Sequence, residues 1–272
     1  MARSIRCKRV SHFNLVLEDY EASMAHLREL YGAELLHDMP KPHWHACLIE
    51  IGGVIIEIFA PPAFLLHARH GPHFQGMEYE ADMDEVRAVV ADHGVGIIRD
   101  LGVALHTDPA DCLGVDWEFY GGSFHDNEPP TLTTRTKPAA WWRDEHPLGL
   151  TGLKAYTLMV SDLSEASGFL RSFLSAEPAY ETTRAGIAAR ALGLQVADTV
   201  IELLTPLGDG PLQRELQRTG QGIRSAVFQV RSLDQARRYF AERDVELIAG
   251  TAPESFAVGP RANRGVLFEF SE

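Results

Sequence analysis

The feature that most limits how this chain can fold is a pattern written four times along it. Each copy opens with a short alternating apolar strand, turns at an Asp or Ser, and continues as an amphipathic helix. The opening strings are His12-Phe-Asn-Leu-Val-Leu-Glu-Asp19, Gln75-Gly-Met-Glu-Tyr-Glu-Ala-Asp82, Ala155-Tyr-Thr-Leu-Met-Val-Ser-Asp162 and Ser225-Ala-Val-Phe-Gln-Val-Arg-Ser232. The Asp or Ser that ends each string suits a helix N-cap, because its side-chain oxygen accepts from an otherwise unpaired amide of the first turn. Asp82, Asp162 and Ser232 are followed three residues on by Glu85, Glu165 and Gln235, the spacing of a capping box. Apolar residues then recur at helical spacing: Met24, Leu27 and Leu30; Val86, Val89 and Val90; Phe169, Leu170 and Phe173; Ala236, Tyr239 and Phe240.

Strand-like stretches follow each helix, and each copy closes on a strand with a central glutamate: Glu57, Glu118, Glu202 and Glu269. Opening residue to closing glutamate spans 45 residues (12 to 57), 43 (75 to 118), 47 (155 to 202) and 44 (225 to 269). Near-equal spacing of this kind defines a repeated unit, which reads as a βαβββ module. Four such modules give an α+β fold class.

Length and composition fit that organisation. The 272 residues suggest about two domains at roughly 150 residues each. With 45% hydrophobic and 23% charged residues, the chain has globular composition, which excludes disorder. Around residues 125–147 the sequence turns Pro-, Thr- and charge-rich and interrupts the repeat at its midpoint. The expected division is an N-terminal domain over 1–125, a linker over 126–150 and a C-terminal domain over 151–272. Trp141 and Trp142 in the linker are expected to pack against a domain rather than bind ligand.

A formal charge of −13 repels phosphate backbones and anionic lipid, so neither nucleic acid nor a membrane is an expected partner. No apolar run approaches the roughly 18 to 20 residues needed to cross a bilayer. The basic start is not followed by an apolar leader region, so a cytoplasmic location is expected. Cys7, Cys47 and Cys112 are scattered and form neither a disulfide framework nor a zinc-finger pattern. All but one of the twelve histidines lie in the first 125 residues, which points chemistry to that half.

The strings Val10-Ser-His12-Phe-Asn-Leu-Val-Leu-Glu-Asp, Gly53-Val-Ile-Ile-Glu57-Ile-Phe-Ala-Pro, Asp116-Trp-Glu118-Phe, Leu158-Met-Val-Ser-Asp-Leu and Val200-Ile-Glu202-Leu-Leu-Thr-Pro, in this order and spacing, resemble the vicinal oxygen chelate superfamily. That superfamily includes glyoxalase I, methylmalonyl-CoA epimerase, extradiol dioxygenases and fosfomycin-resistance proteins. The resemblance covers nearly the whole chain. It implies four βαβββ modules paired into two half-open barrel, glyoxalase-like domains. It also implies one divalent metal (Mn, Ni, Zn, Co or Fe) held by the first and last strands of a module pair. Carried over residue by residue, the ligands are His12 and Glu57 from the first module and Gln75 and Glu118 from the second. Many relatives have His where Gln75 falls, and His73, two residues earlier, is the alternative. A small-molecule substrate is the implied partner, and a homodimer is compatible with the resemblance.

The same positions in the second half read Ala155, Glu202, Ser225 and Glu269, which looks like a degenerate copy without metal. Glu57 and Glu118 sit in apolar strands, where a carboxylate is costly to bury unless paired, metal-bound or protonated. His43 and His45 are two apart on one strand, and an inward-facing His45 would contact substrate. Tyr120, two beyond Glu118, would share its face and line the pocket. His67, His70 and His73 form a histidine run between modules, read as loop residues or a lid rather than a second metal site.

The favoured activity is that of a metal-dependent lyase or isomerase acting next to a carbonyl or carboxylate through a metal-stabilised enolate, with Glu57 or Glu118 as general base. An extradiol-type dioxygenase using iron, with His12, His73 and Glu118 as ligands, is the alternative. A metal-free binding protein of the resistance type is a third reading, and it suits the C-terminal half better than the first.

Overall fold

The computed structural model describes residues 3–41, 44–60 and 71–272. Within them the four modules are present. The first comprises β1 (Arg9–Val16), α1 (Tyr20–Tyr31), β2 (Glu34–Lys41), β3 (Trp44–Ile51) and β4 (Val54–Ala60). The second comprises β5 (His73–Glu80), α2 (Met83–His93), β6 (Ile97–Asp100), β7 (Ala104–Thr107) and β8 (Asp116–Tyr120). The third comprises β9 (Leu150–Met159), α3 (Leu163–Phe173), β10 (Glu177–Arg184), β11 (Ala189–Val196) and β12 (Thr199–Pro206). After an additional helix, α4 (Pro211–Thr219), come β13 (Gly222–Val230), α5 (Leu233–Ala241), β14 (Leu247–Ala249), β15 (Phe256–Val258) and β16 (Leu267–Ser271).

The four module helices, α1, α2, α3 and α5, begin where the sequence places them. Asp19, Asp82, Asp162 and Ser232 each cap the first turn, accepting from the amides of Ala22, Glu85, Glu165 and Gln235 respectively. Each helix carries the chain from a module's opening strand back to a parallel position, the crossover a parallel pair requires. Hence β1 pairs parallel with β4, β5 with β8, β9 with β12 and β13 with β16, while β2–β3, β3–β4, β7–β8 and β11–β12 are antiparallel.

Two eight-stranded mixed sheets result, with orders β2-β3-β4-β1-β5-β8-β7-β6 and β10-β11-β12-β9-β13-β16-β15-β14. Both orders read outward from a central pair of opening strands, so each sheet joins two modules. Neither closes into a barrel among the described residues.

Backbone packing groups the chain into two compact units. One comprises Met1–Ser11, Gln75–Pro129 and Ala155–Arg224. The other comprises His12–Phe74, Pro130–Lys154 and Ser225–Glu272. The first has a core of Tyr79, Trp117, Phe119, Tyr156 and Phe173, in which the buried Tyr79 and Tyr156 hydroxyls meet at 2.8 Å. The second is built on Phe13, Tyr31, Phe228, Phe240 and Phe268, with the Phe228 and Phe268 rings 5.2 Å apart. In this second unit the segment after residue 130 is tied to β3. The Lys137 amide and the Trp142 indole N–H donate to the fully buried Glu50 at 2.8 and 3.1 Å. Trp142 is itself buried, with its ring edge-on to Trp141 at 4.9 Å, so it packs as expected.

Candidate metal centre

On the first module's half of the site, Asn14 stands opposite Glu57 in the parallel β1–β4 ladder. Side chains two apart on a strand share a face, so His12 and Asn14 join Glu57 on one side. His12 is buried, and its Nε2 lies 3.2 Å from Glu57 Oε2. The Glu57 side chain keeps 14% of its surface exposed.

On the second module's half, Glu78 stands opposite Glu118 in the parallel β5–β8 ladder, and both are buried. Two carboxylates side by side and out of water repel each other and have lost their hydration; a cation or a proton relieves both costs. Glu118 is further engaged by His106 on β7, its antiparallel neighbour in the ladder. His106 Nε2 lies 3.0 Å from Glu118 Oε1, and its Nδ1 lies 3.0 Å from Oδ2 of the fully buried Asp116. Burial opposes charge on His106, but the carboxylates of Glu118 and Asp116 outweigh it and push the imidazole up to about 11. Burial holds Asp116 up at about 6, although His106 pulls it the other way. His106 bridges the two carboxylates, one at each ring nitrogen.

His12, Glu78 and Glu118 each offer one ligand atom, and these atoms lie within 4.8 Å of one another. One imidazole nitrogen and two carboxylate oxygens, all buried, suit a hard or borderline divalent ion. The excess of negative charge is what such an ion neutralises, so the group fits a metal. The donors do not select among Mn, Ni, Zn, Co and Fe.

Glu78 and His106 are additions to the residues expected from sequence, whereas His12 and Glu118 coincide with them. Glu57 lies beside His12 but outside the group of three. Gln75 and His73 fall upstream on β5. By ladder register the counterpart of His12 in the second module is Gly76, since His12 and Gly76 each stand two residues before the partner of a closing glutamate. Gln75 lies one residue before that register position. A β-carbon at Gly76 would come 2.1 Å from the Asp116 carbonyl oxygen, so the position admits no side chain without a backbone shift. Gln75 is buried, and His73 is held through Nδ1 by the Gly71 carbonyl at 2.8 Å.

Tyr120 does share the face of Glu118, opposite Glu80, and stacks on Phe124 at 4.7 Å. His45 pairs with Ala60 in the β3–β4 ladder, three residues from the Leu48–Glu57 pair, and alternation turns it to the other face of the sheet. There it stacks on Tyr20 of α1 at 3.6 Å and contacts Asp38 at 2.5 Å. His43, His67 and His70 lie outside the described residues.

In the second half the two closing glutamates are already satisfied. Glu202 receives the Arg184 guanidinium, with Nε at 3.0 Å, and the Tyr180 hydroxyl at 2.5 Å. Glu269 receives the Ser225 hydroxyl at 2.6 Å and both the amide and the hydroxyl of Thr251. A guanidinium and a set of hydroxyl and amide donors stand where the first half gathers carboxylates and a histidine.

The sequence matches no family model and no curated protein. Solved structures are similar over almost the full length at low identity. A triple mutant of 4-hydroxymandelate synthase from Streptomyces coelicolor aligns over 97% of this chain and 92% of its own, with TM-score 0.73 and 13% identity. A variant of homoprotocatechuate 2,3-dioxygenase from B. fuscum, in complex with HPCA, aligns over 99% and 72%, with TM-score 0.68 and 13% identity. The Mn(II)-bound glyoxalase from Novosphingobium aromaticivorans aligns over 98% and 82%, with TM-score 0.65 and 12% identity. With its paired βαβββ modules, the chain has the fold of the vicinal oxygen chelate superfamily.

Proposed function

We propose that this protein is a metal-dependent enzyme of the vicinal oxygen chelate type, a lyase or isomerase that removes a proton from carbon next to a carbonyl or carboxylate of a small substrate. The observation that carries the reading is the burial of Glu78 and Glu118 side by side within reach of His12. A divalent ion held there supplies a Lewis-acid centre that draws charge from a substrate oxygen. Glu118 is the fixed donor, because His106 holds one of its oxygens. Glu57 is the general base: it stands outside the group of three, retains access to solvent and is steered by the His12 contact. It accepts the substrate proton on a carboxylate oxygen and returns it to the same or a neighbouring atom. Tyr120, on the Glu118 face, lines the substrate side. In this reading residues 1–125 form the active domain, 126–150 the linker and 151–272 a domain without metal.

The ring-cleaving dioxygenase alternative needs His12, His73 and Glu118 around iron, and alternation along β5, which turns His73 to the face opposite Glu78, weighs against it. Incubating the metal-loaded protein in D₂O with a pool of 2-oxo acids and acyl thioesters distinguishes the two. Wild type should place deuterium on the carbon next to the carbonyl. Glu57→Gln should lose that exchange by roughly 10² to 10⁴ while retaining its metal, the usual contribution of a general base. Oxygen uptake with catechols, unaffected by Glu57→Gln, would overturn the lyase or isomerase reading.

A further inference from the structure

The second module departs from the other three at two linked positions. In the ladder, the residue opposite the closing glutamate is Leu48, Gly193 or Ala257 in the first, third and fourth modules, but His106 in the second. The residue two before the closing glutamate, on its face, is Ile55, Val200 or Leu267, but Asp116 in the second. Asp116 is fully buried and His106 nearly so. A buried ion pair is weak support for a fold and is often replaced by apolar residues without loss. Three modules of this chain make the same strand arrangement with small or apolar residues there. The scaffold therefore does not require the pair.

We propose that His106 and Asp116 are positioning residues that fix the Glu118 carboxylate for metal binding; the inference rests on the metal-dependent reading above. Asp116 Oδ2 lies 3.0 Å from His106 Nδ1, a contact that fixes the orientation of the ring. His106 Nε2 in turn lies 3.0 Å from Glu118 Oε1, so the ring braces that carboxylate within the group. An outer partner of this kind sets the rotamer and charge of a ligand, and its loss typically lowers metal affinity roughly 10- to 100-fold. The departure occurs only at Glu118, the closing glutamate that belongs to the three-residue group.

The test titrates Mn(II) by calorimetry into the full-length protein and records the visible absorption of the Co(II) form. The variants are wild type, the double substitution His106→Leu with Asp116→Ile, and the conservative His106→Gln. The double substitution copies the first module's Leu48 and Ile55 and removes the His106–Asp116 pair as a unit, so Asp116 is not left buried without His106, and circular dichroism checks the fold of each variant. It should bind Mn(II) roughly 10- to 100-fold more weakly and shift the Co(II) bands. His106→Gln, which can still donate to Glu118, should recover part of the affinity. Equal affinity and an unchanged Co(II) spectrum in the double variant would overturn the positioning role while leaving the metal reading intact. Failure of wild type to bind either ion would overturn both.

Discussion

In the proposed centre, Glu78 is the residue that completes the group around His12 and Glu118. A carboxylate opposite Glu118 adds the negative charge that makes the group a cation site, whereas Gln75 would add only a neutral oxygen. Glu78→Gln should therefore weaken Mn(II) binding by at least the roughly 10- to 100-fold typical of second-layer partners. Gln75→Ala should cost less, and His73→Ala least. Calorimetric titration checks this order, and a larger loss in Gln75→Ala than in Glu78→Gln would restore the spacing-based assignment. The sequence shows Glu78 only faintly. Spacings from opening residue to closing glutamate vary by several residues among modules, so a slip of one leaves no trace. Residues 74–80 are buried without interruption, so no polar alternation marks which side of β5 faces the site. His106 was hidden for a different reason: its partners Asp116 and Glu118 are ladder neighbours, and ladder pairing is not written in local sequence. His12 and Glu118 were legible because the repeat aligned them.

Elements were more legible than pairings. The starts of the four module helices, α1, α2, α3 and α5, are set by local chemistry, an Asp or Ser oxygen on a first-turn amide, and local chemistry survives folding. The Pro- and Thr-rich stretch read as a linker is instead fastened in its second half by Glu50, a contact no spacing rule announces. The same segment carries a pH-sensitive contact. His146 is buried beside Trp142, with rings 5.1 Å apart, and burial, with Lys137 and Arg243 nearby, pulls it down to about 4. The folded state thus favours the neutral ring relative to the unfolded chain. Its contribution to stability is fully present above the unfolded value of 6.5 and is lost as pH falls toward 4. Urea unfolding between pH 7 and pH 4 should show wild type losing stability relative to His146→Leu over that window. A constant difference between the two proteins would contradict it.

At the scale of the whole molecule, the chain uses one scaffold twice and equips its halves differently. Four closing glutamates stand at equivalent ladder positions, yet Glu202 is neutralised by Arg184 and Glu269 is ringed by Ser225 and Thr251. The sequence showed that the second half lacks ligands at residues 155 and 225. It did not show which groups face Glu202 and Glu269, because Arg184 and Thr251 lie outside the repeat's equivalent positions. No described helix is long and apolar enough to cross a membrane. The central claim is one divalent ion per chain, held by His12, Glu78 and Glu118. Its most direct test is elemental metal analysis of protein purified without chelators, run on wild type, His12→Ala and Ser225→Ala. One equivalent of a divalent ion in wild type and Ser225→Ala, with most of it gone from His12→Ala, is the expected result. Two equivalents per chain, or metal content unchanged in His12→Ala, would contradict it.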